Sequence, residues 1–256
     1  MRIIRVEHGG TSYYGILEDG LVFRLHQQPG HMEPIPLSEA KVLPLVTPSK
    51  VVCVGLNYKA HAEELGYPLP NMPSFFLKPP SSIIGNGEPI VLPSGMGRIE
   101  HEAELAMVVG KVCRNLTPEE AEESLFGFTC ANDVTAREVQ KVDPLIGHCK
   151  SYDTFCPIGP WIETELEDIN DLSIRCLVNG EVRQSANTGD MIFRPLDLLC
   201  FLSRVMTLMP GDVILTGTPP GISPIQADDV VQVSIEGRGP PPNPVEGPGP
   251  EEKILQ

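Results

Sequence analysis

The segment RIEHEAELAMVVGK, residues 98–111, places carboxylates at every second position, at Glu100, Glu102 and Glu104. In a strand, side chains at positions i and i+2 point to the same face, about 6.6–6.8 Å apart. Two ionised carboxylates in one buried site repel each other unless a cation lies between them or one of them takes up a proton. The spacing of Glu102 and Glu104 therefore favours a divalent cation. Mg²⁺, Mn²⁺ or Ca²⁺ suits oxygen ligands better than zinc does.

The alternative interpretation of these glutamates is a solvated strand face. His101 points to the opposite face of such a strand, and we interpret it as structural. A third ligand is predicted at Asp133 in FTCANDVTARE, because an acid at the end of an apolar strand is costly to bury unless it is paired or bound to metal. Asp133 could equally cap the turn that follows it.

Two further motifs carry groups that could act on a bound substrate. Lys150, in GHCKSYDTFCPIGPW, lies where a polar loop becomes an apolar strand, and it could bind a carboxylate or stabilise an enolate. His61 and Glu64 share a helix face in LNYKAHAEELGYPLP, so the carboxylate could orient an imidazole that moves a proton. The alternatives are a lysine that extends to solvent and an ordinary surface histidine.

The loop ILTGTPPGISP, residues 214–224, follows a strong apolar strand. Its glycines and threonines could present backbone N–H groups and a hydroxyl to an anionic ligand. It is not a Walker A loop, because no Gly-Lys-Ser/Thr sequence follows. The alternative is a plain turn.

Composition excludes several classes of protein. The chain has 256 residues and a net charge of −15, and it has no cluster of basic residues, so nucleic acid and anionic membrane surfaces are unfavourable partners. No apolar run approaches the roughly 18 residues that a membrane span needs. The odd number of scattered cysteines predicts buried reduced thiols and a cytoplasmic location: Cys53, Cys113, Cys130, Cys149, Cys156, Cys176 and Cys200.

The order of predicted elements favours an α+β, strand-rich fold, because strands outnumber helices and do not alternate regularly with them. Short β-like runs predict a small N-terminal domain over residues 1–45, and residues 46–256 form the larger domain. Helices are predicted in YKAHAEEL, in TPEEAEESL with Thr117 as N-cap, and in PLDLLCFLSRVMTL. A Pro- and Gly-rich tail ends the chain, and its NPV sequence could return to the core.

Seven ordered motifs together resemble the fumarylacetoacetate hydrolase family, over about residues 46–236. The resemblance is closest to 2-hydroxyhepta-2,4-diene-1,7-dioate isomerase/decarboxylase and acylpyruvase-type members. The motifs are VCVGLNYKAHAEEL, FLKPPSSIIGNGEPI, HEAELAMVVGK, NDVTAREVQ, KSYDTFCPIGPWI, LVNGEVRQSANTGDMIF and LMPGDVILTGTPPGISPI.

The resemblance implies a mixed β-sandwich roll, a homodimer and a bound Mg²⁺ or Mn²⁺. It implies that the metal ligands are Glu102, Glu104 and Asp133, and that the catalytic residues are His61, Glu64 and Lys150. It also implies substrate contacts from Arg137, Gln140 and Thr218.

The implied substrate is a small anionic 2-oxo, 2-hydroxydienoic or diketo acid, which is isomerised or decarboxylated. Cleavage of a C–C bond by hydrolysis, and oxaloacetate decarboxylation or tautomerisation, stay open as alternatives. A non-catalytic metal-dependent binding protein is a further one.

Overall fold

The structure is a computed structural model that describes residues 1–25, 33–166, 168–236 and 242–248. No helix within these ranges is long and apolar enough to cross a membrane. The helices are α1 (Lys59–Leu65), α2 (Pro118–Ser124), α3 (Arg137–Gln140), α4 (Gly147–Lys150) and α5 (Pro195–Val205). The strands are β1 (Arg2–His8), β2 (Thr11–Glu18), β3 (Leu21–Arg24), β4 (Ile35–Pro36), β5 (Lys41–Val42), β6 (Val51–Gly55), β7 (Ser74–Lys78), β8 (Ile83–Ile84), β9 (Ile90–Val91), β10 (Ile99–Glu100), β11 (Ala103–Val109), β12 (Leu125–Asn132), β13 (Thr135–Ala136), β14 (Cys156–Glu163), β15 (Ser173–Val178), β16 (Glu181–Asn187), β17 (Val213–Leu215), β18 (Val230–Ile235) and β19 (Asn243–Glu246).

The described strands form two large sheets and one small one. The main sheet has the order β4-β3-β2-β1-β14-β12-β11-β17-β6-β7, with β5 beside β1 and β8 beside β14. The second sheet has the order β16-β15-β18-β19-β9, and β10 pairs with β13 alone. Most pairs are antiparallel, but β17 with β6, β14 with β8 and β19 with β9 are parallel. These mixed sheets with few helices confirm the predicted α+β fold class.

Strand β11 lies at the centre of the molecule, and all seven of its residues are buried. On one side, Leu105 packs with residues of the second sheet such as Ile174. Met107 packs with Leu198 of helix α5, and Ala106 packs with the core below the N-terminal strands. The strand is therefore covered on both faces. Local pattern alone does not show this burial, because the covering residues belong to the second sheet, helix α5 and the core below the N-terminal strands.

The three predicted helices are confirmed as α1, α2 and α5. Helix α2 begins with a capping box, in which the Thr117 hydroxyl accepts from the Glu120 N–H and the Glu120 carboxylate accepts from the Thr117 N–H. Pro195 occupies the first turn of α5, where its missing N–H costs nothing. All seven cysteines are buried and none is in a disulfide, as expected.

The N-terminal strands extend the main sheet, because β1 pairs with β14 through Arg2 opposite Glu163. The division at residue 45 stays a prediction. Of the predicted Pro/Gly-rich tail, residues 237–241 and 249–256 lie outside the described residues. The NPV sequence does return to the core, where β19 pairs with β18 and β9.

Candidate active site

Three acids meet where strands β11 and β12 come together. Glu102 precedes β11, Glu104 is its second residue, and Asp133 directly follows β12. The two strands are antiparallel, with Ala103 opposite Asn132, so the start of one lies beside the end of the other. The Asp133 N–H also donates to the Glu102 carbonyl over 2.9 Å. As a result, one oxygen from each carboxylate lies within 4.8 Å of the other two, and all three residues are buried.

The segment from residue 98 to 111 is not one continuous strand, and this corrects the sequence interpretation. Ile99–Glu100 pairs with β13, while Ala103–Val109 belongs to the main sheet, and His101 and Glu102 lie between them. The chain changes sheets between Glu100 and Ala103, and Glu102 and Glu104 still converge. His101 is structural as expected: it is buried, with Nδ1 3.0 Å from Gln184 Oε1 and Nε2 2.8 Å from Ser223 Oγ.

Each candidate ligand has a donor that fixes one of its oxygens. The Arg137 guanidinium donates to Glu102 Oε1. Lys78 Nζ lies 2.5 Å from Asp133 Oδ1, and the Gly217 N–H donates to Glu104 Oε2 over 2.6 Å. These contacts orient the three carboxylates toward one another.

The second ammonium of the cluster belongs to Lys150. It donates to Glu102 Oε2 over 2.8 Å and to Asp133 Oδ2 over 2.7 Å. Lys150 ends helix α4 and is buried. The alternative of a lysine that extends to solvent is therefore wrong, and the role of Lys150 toward a substrate stays a prediction.

The buried charges of the cluster are nearly balanced, with four acids and three cations. The acids are Glu100, Glu102, Glu104 and Asp133, and the cations are Lys78, Arg137 and Lys150.

The charges perturb one another strongly. Burial raises the pKa of Glu104 well above its ordinary range, and the negative charges of Asp133 and Glu102 raise it further. Burial alone would also raise the pKa of Glu102, but Lys150 and Arg137 outweigh it and hold that pKa far below its ordinary value. Burial would lower the pKa of Lys150, but Asp133 and Glu102 raise it. Of the three candidate ligands, Glu104 is therefore the one whose protonated form the surroundings favour.

The donor set fits a divalent ion. Three carboxylates in a buried site supply hard oxygen ligands of the kind that Mg²⁺ and Mn²⁺ prefer. Their oxygens already converge. Each of the three carboxylates also accepts a hydrogen bond, from Arg137, Lys78 or the Gly217 N–H. Residues that would hold the ion are thus Glu102, Glu104 and Asp133.

The predicted acid–base pair is formed on helix α1. His61 Nδ1 lies 2.8 Å from Glu64 Oε2, and His61 is buried while Glu64 is exposed. The Gly221 N–H donates to Glu64 Oε1 over 3.0 Å. Asn57, two residues before the helix start, donates from Nδ2 to the Thr216 carbonyl over 2.7 Å. Both ends of α1 are therefore attached to the loop whose Gly217 N–H contacts the acid cluster.

The three predicted substrate contacts lie around the same cluster. Arg137 Nε donates to Glu100 Oε2 over 2.6 Å, and its NH1 group donates to Gln140 Oε1 over 2.8 Å. Thr218 Oγ1 donates to the Ala103 carbonyl over 3.0 Å. Its proton is therefore committed to the protein, so Thr218 could donate to a substrate only after that bond breaks.

Sequence reasoning missed Lys78 and Gln184. Lys78 ends the apolar strand SFFLK just before a proline. A charged residue at the end of an apolar strand is the same signal that identified Asp133. Gln184 is fully buried and joins His101 and Ala103 to Thr218 and Pro219 through its carboxamide. It lies in EVRQSAN, where nothing in the local pattern distinguishes it from an exposed glutamine.

Comparison with known proteins defines the class of the chain. Residues 50–246 match the family described as fumarylacetoacetate (FAA) hydrolase C-terminal. Residues 1–44 match a family described as Rv2993c-like, N-terminal. The chain therefore belongs to the fumarylacetoacetate hydrolase family, a family of enzymes, as its motifs predicted.

Several relatives have assigned activities. The human mitochondrial oxaloacetate tautomerase FAHD2A is 42% identical over 219 residues, which are 80% of this chain and 69% of that protein. A 5-carboxymethyl-2-hydroxymuconate delta-isomerase from Mycobacterium smegmatis superposes with a TM-score of 0.89 at 41% identity, over 98% of this chain and 100% of that one. A maleylpyruvate hydrolase from Sphingobium sp. SYK-6, in complex with manganese(II) and pyruvate, gives a TM-score of 0.81 at 30% identity, over 97% of this chain and 100% of that one.

Proposed function

We propose that this protein is a divalent-metal-dependent enzyme that moves protons on small anionic 2-oxo acids, as in keto–enol tautomerisation or double-bond isomerisation. The observation that carries the proposal is the buried triad of Glu102, Glu104 and Asp133 with two lysines at its edge. Two of the relatives described above are named for a tautomerisation or an isomerisation, which supports this class of reaction. The preferred ions are Mg²⁺ and Mn²⁺, and a relative is described with manganese.

Glu102, Glu104 and Asp133 would hold the divalent ion, which would supply Lewis-acid chemistry that makes a C–H beside a 2-oxo group more acidic. Lys150 supplies a positive charge for the developing enolate oxygen. Arg137 and Gln140 bind the substrate at the edge of the cluster. The Gln140 amide oxygen already accepts a hydrogen bond from Arg137. The amide nitrogen of Gln140 is therefore the group that can donate to a substrate.

His61 is the proposed proton carrier. Its Nδ1 is held by Glu64, which leaves Nε2 to take a proton from the substrate carbon. The same Nε2–H then returns the proton to a different carbon or to the enolate oxygen. The reaction is therefore an isomerisation with no net change in protonation, and Glu64 stabilises the imidazolium that forms in between.

Hydrolysis of a C–C bond is the second candidate, because one relative is named a maleylpyruvate hydrolase. In that reaction His61 would activate water instead of carrying a proton between substrate atoms. Decarboxylation uses the same polarised 2-oxo group. We further propose that the protein acts as a homodimer without nucleic acid or membrane partners. Sedimentation analysis of the purified protein can check the dimer.

The test is turnover of three substrate types by protein stripped of metal and then supplied with Mg²⁺ or Mn²⁺. They are enol-oxaloacetate, 2-hydroxyhepta-2,4-diene-1,7-dioate and an acylpyruvate. We expect ion-dependent isomerisation of one of the first two. Cleavage of the acylpyruvate as the only reaction would favour the hydrolase. Equal turnover with and without EDTA would contradict the metal-dependent mechanism, and ion binding without any turnover would indicate a binding protein.

A His61→Ala variant tests the proton carrier. We expect kcat to fall about 10²-fold or more, the usual size of a general acid–base contribution, while ion binding is unchanged. His8→Ala is the matched control, since His8 lies on strand β1 of the N-terminal unit. Normal turnover in the His61 variant would show that this role is wrong.

A further inference from the structure

The ammonium of Lys150 lies where two of the candidate metal ligands converge. Its Nζ donates to Glu102 Oε2 over 2.8 Å and to Asp133 Oδ2 over 2.7 Å, and its side chain is only 4% exposed. A cation that bridges two acids at hydrogen-bond distance does the electrostatic work expected of a metal ion between them.

The remaining oxygens of the same carboxylates have other partners. Glu102 Oε1 accepts from Arg137, and Asp133 Oδ1 accepts from Lys78 over 2.5 Å. Lys78 is also fixed to the protein, because its Nζ donates to the Val134 carbonyl over 3.2 Å. Each carboxylate therefore has an outer oxygen held by Lys78 or Arg137 and an inner oxygen held by Lys150.

We propose that Lys150 is an internal competitor of the divalent ion: its ammonium takes the cation's place in the ion-free protein, and ion binding displaces it from the inner oxygens. The inference rests on the proposed metal site. Lys78, by contrast, is a positioning residue that fixes the orientation of Asp133 from outside.

The competition has a chemical consequence for the proposed reaction. The Lys150 ammonium donates hydrogen bonds to Glu102 and Asp133. In this position it is poorly placed to stabilise a substrate oxyanion. Release by the ion frees those protons for an anionic substrate. Ion binding and the availability of the Lys150 ammonium are thereby coupled. A substrate can accept hydrogen bonds from this ammonium only when the ion is bound.

The two lysines on Asp133 should have opposite effects on ion affinity. Removing the Lys150 charge leaves the inner oxygens repelling each other and open to an ion, so affinity should rise. Removing the Lys78 charge leaves Asp133 without its anchor, so affinity should fall. If both lysines were merely structural, both substitutions would change affinity in the same direction.

The experiment is calorimetric titration of Mg²⁺ and of Mn²⁺ into metal-stripped full-length protein and its variants Lys150→Met and Lys78→Met. We expect Lys150→Met to bind about tenfold more tightly or better, since one competing unit charge is gone, and Lys78→Met to bind more weakly. The exposed Lys59 on helix α1 provides the matched control, and Lys59→Met should bind as the wild type does.

Three outcomes decide the proposal. Tighter binding by Lys150→Met together with weaker binding by Lys78→Met supports it. Unchanged or weaker binding by Lys150→Met, while the wild type binds ions, overturns the competition and leaves the proposed metal site standing. No ion binding by the wild type or any variant overturns both the competition and the metal site.

A second measurement uses the wild-type protein and so does not depend on the folding of a variant. Acylation of individual lysines by an amine-reactive ester, quantified by mass spectrometry, should increase at Lys150 when Mg²⁺ or Mn²⁺ is added. Labelling of Lys78 should stay the same. Equal labelling of Lys150 with and without ion, under conditions where the ion binds, would overturn the displacement.

Discussion

The Gln184 carboxamide joins the start of strand β11 to the loop that follows strand β17. Its replacement by leucine should therefore lower the free energy of unfolding. Its Oε1 accepts from the Ala103 N–H over 2.9 Å, with His101 Nδ1 at 3.0 Å. Its Nε2 donates to Thr218 Oγ1 and to the Pro219 carbonyl, each over 2.8 Å. The side chain is fully buried, so water cannot replace these partners without a rearrangement.

The expected magnitude follows from the groups that Gln184→Leu leaves without a partner. The Ala103 N–H and the Pro219 carbonyl lose hydrogen bonds in a buried site, and each such loss costs about 1–3 kcal/mol. Disruption around His101 adds to this, so the free energy of unfolding should fall by about 3–5 kcal/mol. Because Ala103 separates Glu102 from Glu104, ion affinity should fall as well.

The assay is urea unfolding of metal-stripped protein, followed by circular dichroism, with ion titration of the folded variant. Gln226→Leu makes the same chemical change at an exposed position and should alter stability by less than about 0.5 kcal/mol. A loss below about 1 kcal/mol in Gln184→Leu would refute the reasoning, because it would mean that the four buried contacts contribute no more than an exposed glutamine.

Two further predictions concern stability away from the candidate site. Asp212 accepts from the N–H groups of Ser49 and Met209 and pairs with Lys50; burial would raise its pKa, but these donors outweigh burial and lower it. Because its pKa is lowered on folding, ionised Asp212 stabilises the folded protein above about pH 4, and this stabilisation is lost as pH falls through the folded pKa. The Asp212→Asn substitution should therefore lower the free energy of unfolding by about 2–3 kcal/mol at pH 7 and by progressively less in acid. A penalty that does not change with pH in urea unfolding would contradict this. Thr117→Ala removes the capping box of helix α2 and should cost about 1 kcal/mol, while Thr117→Ser, measured by the same unfolding assay, should cost only a few tenths; equal losses would show that the hydroxyl is not the cause.

The sequence was sufficient for the family, the fold class and most of the acid cluster. Helices α1, α2 and α5 follow from local signals such as the Thr117 cap and Pro195, because short-range hydrogen bonding and backbone restriction decide where a helix begins. Asp133 was predictable because a charged residue at the end of an apolar strand is costly unless it has a partner. The same argument applies to Lys78, which sequence reasoning nevertheless missed.

Tertiary structure alone decided how these residues are arranged. The stretch from Glu100 to Glu104 reads as one strand, yet it crosses between two sheets, and pairing partners distant in sequence determine where a strand stops. Gln184 gains its importance from contacts with residues about 80 and 34 positions away, which no local pattern records. The sequence therefore determined which chemical groups the site contains, and only the packing of the sheets decided which oxygen faces Lys78, which faces Lys150 and which pKa rises, because burial and charge proximity arise only when distant segments meet.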